Sequence, residues 1–406
     1  MDYDKLMSRE LMSIPPSGIR KFFSIAEEMK DVISLGVGEP DFTTPWIVRR
    51  AGIESLERGK TWYSSNAGFQ ELRIAISEYL KRRFDLTYDY KTEMFVSVGG
   101  SEAIDMAMRA VLNPGDEVLL PTPCFVCYEP IARMCGATVT PIVLREEDDF
   151  SLTAQQLKDA ISEKTKLLVL PFPNNPTGAI LERKALEEIA EVLRGTDILV
   201  LSDEIYAELT YGGEKHVAPA SLSEDMWNRT ITINGFSKAF AMTGWRLGYA
   251  CGPAPLITQM VKMHQYAIMC APSTAQYAGM VAVRDCDDVV EEMRDEYDAR
   301  RRLLVREFNR MGLHCFEPKG AFYTFPSIKS TGLTSDEFCE KLLYEKKIAV
   351  IPGSAFGPGG EGHIRVSYSY SLNHLRRALA GIEAFVNEHS TGADLWSLSL
   401  IGHMQN

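Results

Sequence analysis

Several things are scarce in this 406-residue sequence, and each shortage removes a class of function. Positive charge is in deficit: 43 Lys and Arg stand against 55 Asp and Glu, for a formal net charge of −12. Nucleic acids and anionic membranes are held by clustered cations that displace counterions, so neither is an expected partner. No apolar run approaches the ~18 residues that a membrane-spanning helix requires. The first residues, "MDYDKLMSRE", mix acids and bases where a secretory signal would place a basic end and an apolar centre, and the expected location is cytoplasmic. Eight cysteines scattered over a long chain read as reduced thiols rather than a disulfide framework. Cys124 and Cys127 form a lone C-x-x-C without the second pair or nearby histidines that zinc needs, so no metal site is expected. The dinucleotide fingerprint G-x-G-x-x-G is missing as well, both at "GVGEP" (Gly36 to Pro40) and at the Gly99–Gly100 turn. Internal repeats, low-complexity tracts and basic tails are lacking too.

What is present is an alternation. From Met94 to Cys251 short apolar runs ("MFVSV", "EVLLP", "KLLVLPF", "ILVLSDE", "TITIN", "RLGYAC") recur with helical patterns between several of them, which is the pattern of an α/β sheet. Several runs are apolar throughout, as strands covered on both faces are, and each is followed by Gly, Pro, Asn, Asp or Ser. Polar residues therefore gather at strand C-terminal ends, the edge of an open α/β sheet where ligands bind. Single cores rarely exceed ~250–300 residues, so two domains are expected. After Asp285 a long charged helix begins, with Val289, Met293, Tyr297, Leu304 and Phe308 as its buried stripe. The segment ahead of Thr44, with Pro15, Pro16, Gly18, Gly36 and Gly38, reads as an arm. The division is residues 1–44 for an arm that goes with the small domain, 45–285 for a large ligand-binding domain and 286–406 for the small domain. The end, "GADLWSLSLIGHMQN", is apolar enough to pack against something but suggests no function.

Four strand ends carry chemistry. In "VSVGGSEAI" Gly99 and Gly100 make a tight turn, and Ser101 and Glu102 open a helix whose free N–H groups and dipole suit an anion. In "VLSDEIY" an apolar strand runs into Asp203, with Tyr206 one turn on; a carboxylate there needs a cation or an N–H partner. "PFPNNPTG" offers Asn174 and Asn175 at another loop, unremarkable as a bare turn. "NGFSKAFAMTGWRLGY" presents Ser237 and Lys238, then Arg246 eight residues later. Taken alone, Lys238 is a solvated surface charge, Asp203 a cap and the Gly-Gly turn a plain joint. Converging on one crevice, they fit one ligand, pyridoxal 5′-phosphate. Its phosphate suits Ser101, Ser237 and Arg246, its ring nitrogen Asp203, its hydroxyl Asn175 and Tyr206, and its aldehyde Lys238.

At this point the sequence resembles the class I/II pyridoxal-phosphate-dependent aminotransferases, fold type I of the aspartate aminotransferase superfamily. The resemblance covers nearly the whole chain. It rests on "SLGVGEPDF", "TWYSSNAGFQELR", "GGSEAI", "PNNPTG", "SDEIY", "SKAFAMTGWRLGY", "GAFYTFP" and "IRVSYS" in that order. It implies an α/β fold whose large domain has a mostly parallel seven-stranded sheet covered by helices, plus a smaller α+β domain. It further implies that Lys238 is the Schiff-base lysine and moves the proton at the substrate α-carbon, and that Asp203 keeps the cofactor ring protonated. By the same resemblance Gly100, Ser101, Glu102, Ser237 and Arg246 surround the phosphate, Phe125 stacks on the ring, and Asn175 and Tyr206 meet its hydroxyl. Arg365, helped by Gly38 and Asn175, grips the substrate α-carboxylate, for which a planar guanidinium is suited. Tyr63 reaches the phosphate of a neighbouring subunit, which implies a homodimer with shared sites. Burial beside Arg246 would lower the pKa of Lys238, as a nucleophile requires. Two departures stand out: Phe125 replaces the Tyr or Trp of many relatives, and Gly235 replaces a phosphate-binding Ser found in some, which implies somewhat weaker phosphate anchoring.

The resemblance implies a ping-pong aminotransferase moving an amino group from an L-amino acid to a 2-oxo acid such as 2-oxoglutarate. Side-chain specificity is the least legible part. Some aspartate-specific relatives carry a lysine where this chain has Ser101, which leaves Arg20 as the substitute cation for a distal carboxylate. Phe22, Phe23, Tyr63, Phe322, Tyr323 and Tyr368 equally suit an aromatic donor. The reading favours a dicarboxylic donor such as aspartate, with a C–S β-lyase or an N-acetyl-diaminopimelate aminotransferase as alternatives. A non-catalytic DNA-binding protein on this scaffold would need a basic helix-turn-helix segment, which the acidic balance and short arm do not supply.

Overall fold

The computed structural model describes residues 1–16, 18 and 29–389. Arg20, Phe22, Phe23 and the apolar end at 392–406 lie outside the described residues. Strand β1 (Ile33–Ser34) comes first in the chain. Among the described residues, β2 (Met94–Ser97), β3 (Glu117–Thr122), β4 (Thr138–Val143), β5 (Thr165–Leu170), β6 (Leu199–Asp203), β7 (Thr230–Gly235) and β8 (Gly248–Cys251) form one seven-stranded sheet. Its order is β2-β8-β7-β6-β5-β3-β4. Only β8 runs antiparallel to its neighbours.

The central strands are apolar because both faces are covered. Val118, Leu120, Val169, Leu201, Ile231 and Ile233 pack with Ala103, Ile104 and Ala107 of helix Gly100–Val111 and with Ile257 and Met260 of helix Ala254–Ala267. Alternate residues such as Leu119, Leu168, Leu170 and Val200 face the opposite way, toward Leu186 and Ile189 of helix Arg183–Leu193. Period-two alternation thus divides one apolar run between two cores. Six strands coincide with the apolar runs of the sequence. The seventh, β4, is a sheet edge on which only Ile142 is buried, so "TVTPIV" has no apolar run to betray it.

Beyond this sheet, β9 (Tyr323–Thr324), β11 (Ile351–Pro352) and β12 (Ile364–Ser367) form an antiparallel sheet in the order β11-β12-β9. β10 (Ile348–Ala349) pairs in parallel with β1, which ties Ile33 and Ser34 to this part of the chain. Helix Asp287–Arg310 buries Val290, Met293, Tyr297, Leu304 and Phe308. The expected stripe is shifted at its start, since Val290 and not Val289 is fully buried. Arg300 and Arg301, charged residues outside that stripe, are buried too. Arg300 pairs with Asp41 at 2.8 Å and Arg301 with Glu317 at 2.6 Å, so the buried charges are matched. No described helix is long and apolar enough to cross a membrane.

Candidate active site

The loops leaving the C-terminal ends of β2, β3, β5, β6 and β7 open side by side, and β12 brings Arg365 to face them. Between them lies a cavity of about 320 Å³. It is lined by Gly38, Gly100, Ser101, Phe125, Asn175, Asp203, Tyr206, Ser237, Lys238, Arg246 and Arg365, eleven residues drawn from separate stretches of sequence. Val37, Tyr128, Thr243 and Tyr323 complete much of the wall.

One end is built for an anion. Gly99 precedes helix Gly100–Val111 and has no side chain to cap its first N–H groups. Its φ of +78° is one that side chains rarely adopt, and a Cβ there would come within 2.7 Å of Arg246 Nη2. The guanidinium therefore rests on the bare turn, with Nη1 donating to the Thr243 carbonyl at 3.0 Å. Ser101 and Ser237 line the same cavity. Glu102 contributes no side chain to it. One carboxylate oxygen accepts the Val98 N–H at 2.5 Å and the other meets His264 Nδ1 at 2.5 Å, which braces the turn from behind. Gly235 does not line the cavity either: a Cβ there would lie 3.2 Å from Gly248 Cα, so the close approach of β8 occupies the space a serine would use.

The opposite end holds an acid. Asp203 is buried, and burial pushes its pKa up to about 6. Two donors oppose that shift: the Tyr128 hydroxyl at 2.7 Å and the Ile205 N–H at 3.2 Å. Tyr128 is a cavity residue that sequence reasoning missed. Its only signal is its place three residues after Phe125, which gives no hint of a buried carboxylate partner.

Between the two ends stands Lys238, whose Nζ donates to the Gly38 carbonyl at 2.6 Å. Its pKa falls from 10.5 to about 8, chiefly through burial. Among the neighbouring cations Arg365 acts ahead of Arg246, the expected partner, and Glu39 opposes both. Arg365 is 3% exposed. Its Nη1 donates to Asn175 Oδ1 at 2.8 Å and its Nη2 to the Gly36 carbonyl, while the rings of Tyr323 and Phe356 lie 4.6 and 4.9 Å from Cζ. The buried Nε has no hydrogen-bond partner among the described residues. Gly38 is close-packed against this group, since a Cβ would collide with the Tyr323 hydroxyl, itself 2.8 Å from that of Tyr206.

Tyr63 lies elsewhere in the chain's geometry. It is 76% exposed and lines no part of the cavity. Arg20 lies outside the described residues. Cys124 and Cys127 are free thiols, as are the other six cysteines.

The family described as "Aminotransferase class I and II" matches residues 30–382. The chain belongs to that family. It is 48% identical to an aspartate aminotransferase of Pyrococcus abyssi over 94% of this chain and 98% of that one. It is 43% identical to aromatic-amino-acid aminotransferase 2 of Thermococcus litoralis, over the same shares of the two chains. Among solved structures, the aromatic aminotransferase of Pyrococcus horikoshii superposes with a TM-score of 0.87 at 45% identity, covering 91% of this chain and 99% of that one. The aminotransferase is thus a fold type I enzyme that moves an amino group from an amino acid to a 2-oxo acid. These similarities do not favour the C–S β-lyase reading.

Proposed function

We propose that the cavity binds pyridoxal 5′-phosphate and that its residues act in the roles the resemblance implies. The observation that carries this is the charge arrangement. Lys238, Arg246 and Arg365 converge on a cavity whose lining holds a single carboxylate, Asp203, in a protein with a net charge of −12. Cations in excess of the lining's one carboxylate call for anionic ligands, and a phosphate at exposed Arg246 with a carboxylate at buried Arg365 would satisfy both.

When bound, the cofactor supplies a protonatable ring that accepts electrons from the substrate α-carbon. The bare turn at Gly99 and Gly100, with Ser101, Ser237 and Arg246, holds the phosphate. Asp203 holds a proton on the ring nitrogen; Tyr128 and the Ile205 amide keep its carboxylate ionised against the effect of burial. Phe125 covers the ring. Arg365 grips the α-carboxylate, and its bond to Asn175 fixes the plane of the guanidinium. Lys238, whose lowered pKa of about 8 leaves a sizeable neutral fraction at physiological pH, would take the proton from the substrate α-carbon and hand it on to the cofactor within the same half-reaction.

The donor is aspartate or a related dicarboxylic or aromatic amino acid, and the acceptor a 2-oxo acid such as 2-oxoglutarate. The domain boundaries at 44/45 and 285/286 belong to the same reading. So does a homodimer in which Tyr63 completes the neighbouring site. Trp46, Trp62, Tyr63 and Tyr266 are each more than half exposed, an apolar surface that a second subunit would cover. The deciding experiment is a half-reaction: single amino acids without an oxo acid are added to purified enzyme while the cofactor absorbance is followed. Lys238→Ala should abolish the change; ordinary turnover by that variant would defeat the assignment.

A further inference from the structure

Two tyrosine hydroxyls meet in the wall of the active-site cavity. Tyr206 follows β6 by three residues and Tyr323 opens β9, and their hydroxyl oxygens are 2.8 Å apart. Both side chains line the cavity and both are buried. The register of the antiparallel sheet brings Tyr323 there: it lies opposite Ser367 on β12, so Arg365, two residues before Ser367, projects from the same face. The Tyr323 ring accordingly lies 4.6 Å from the guanidinium. Its hydroxyl lies against Gly38, whose missing side chain leaves it room.

The pair holds two protons and shares one hydrogen bond. Burial raises both pKa values, so both hydroxyls stay protonated at neutral pH. Each has one proton to donate, so whichever accepts within the pair must aim its own proton elsewhere. Tyr206 is fixed in place, its ring edge-on to those of Phe322 and Tyr323 at 5.3 and 5.9 Å. If Tyr206 donates to the ring hydroxyl oxygen of the cofactor, its own oxygen is left to accept from Tyr323. The chain then runs from the Tyr323 hydroxyl to the Tyr206 hydroxyl to the ligand, and each link polarises the next.

We propose that Tyr323 is a positioning residue: its hydroxyl donates to Tyr206 and so orients and strengthens Tyr206 as the donor to the cofactor's ring oxygen. The inference rests on the pyridoxal-phosphate reading above. A donor at that oxygen disfavours the proton that the Lys238–cofactor linkage shares with it. Losing the donor therefore raises the pH midpoint of the visible absorbance change of the holoenzyme. Tyr206→Phe should raise that midpoint by about 1–2 units. Tyr323→Phe keeps the ring beside Arg365 and should raise it by about 0.2–0.6 unit, yet add nothing in the Tyr206→Phe background. Placing 3-fluorotyrosine at position 323, a stronger donor of nearly the same shape, should lower it. No shift on Tyr323→Phe, or the same shift with and without the Tyr206 hydroxyl, overturns the relay while leaving the cofactor reading intact. A midpoint that Tyr206→Phe does not move removes the role given to Tyr206 and this inference with it, and a protein that takes up no cofactor defeats the whole reading.

Discussion

The protonation of Lys238 gives the most direct test of the site, because it can be read on the apoenzyme without any turnover. Its pKa is lowered from 10.5 to about 8, first by burial and then by Arg365 and Arg246, with Glu39 and Asp203 pulling the other way. At pH 7.5 such an amine is about one-quarter neutral, against roughly one part in a thousand at 10.5, a gain of about 200-fold in the reactive form. Trace labelling with acetic anhydride across pH 6 to 11, read by peptide mass spectrometry with exposed Lys184 as reference, measures the midpoint. We expect it near 8. Arg365→Met should move it upward, since a repelling cation is lost, and Glu39→Gln downward, since an attracting anion is lost. A midpoint above 10 in the native apoenzyme would refute the claim that burial prepares this lysine.

Asp203 should show the opposite side of the same physics. Folded, its pKa is about 6 against 3.8 in the unfolded chain, so between those values the folded state binds more protons and stability falls as pH rises. Apo Asp203→Asn should therefore lack that decline and exceed the native apoenzyme above pH 6 by as much as about 3 kcal/mol in urea unfolding, while losing activity. Gly99→Ala forces a side chain onto φ +78° and into Arg246, which should weaken cofactor affinity by roughly 5- to 150-fold for about 1–3 kcal/mol of strain. A fluorescence titration with the cofactor measures it. Arg365→Lys keeps the charge but loses the fork that reaches Asn175 and Gly36. The amino-acid KM should rise about 30- to 150-fold, equivalent to about 2–3 kcal/mol, with cofactor absorbance unchanged.

Much of this molecule was legible because a parallel sheet writes itself in apolar runs and places its chemistry where each run ends. Asp203, Asn175 and Lys238 stand at the ends of β6, β5 and β7, which are neighbours in the sheet, and the sequence places each beside a strand. What the sequence could not show is what folding does to side chains without a pattern. β4 is an exposed edge, so burial leaves no mark on its composition. Arg300 and Arg301 look solvated in a helix rich in charge, yet Asp41 and Glu317 reach them from segments distant in the chain. Glu102 has the right position at the anion-binding turn, but its carboxylate turns to Val98 and His264. That rotation has a physical logic. A carboxylate aimed at the phosphate would repel it, whereas one hydrogen-bonded behind the turn holds Gly99 and Gly100 open and leaves Arg246 as the charge the ligand meets. The residue type was readable; the direction in which it points depends on a histidine 162 positions away.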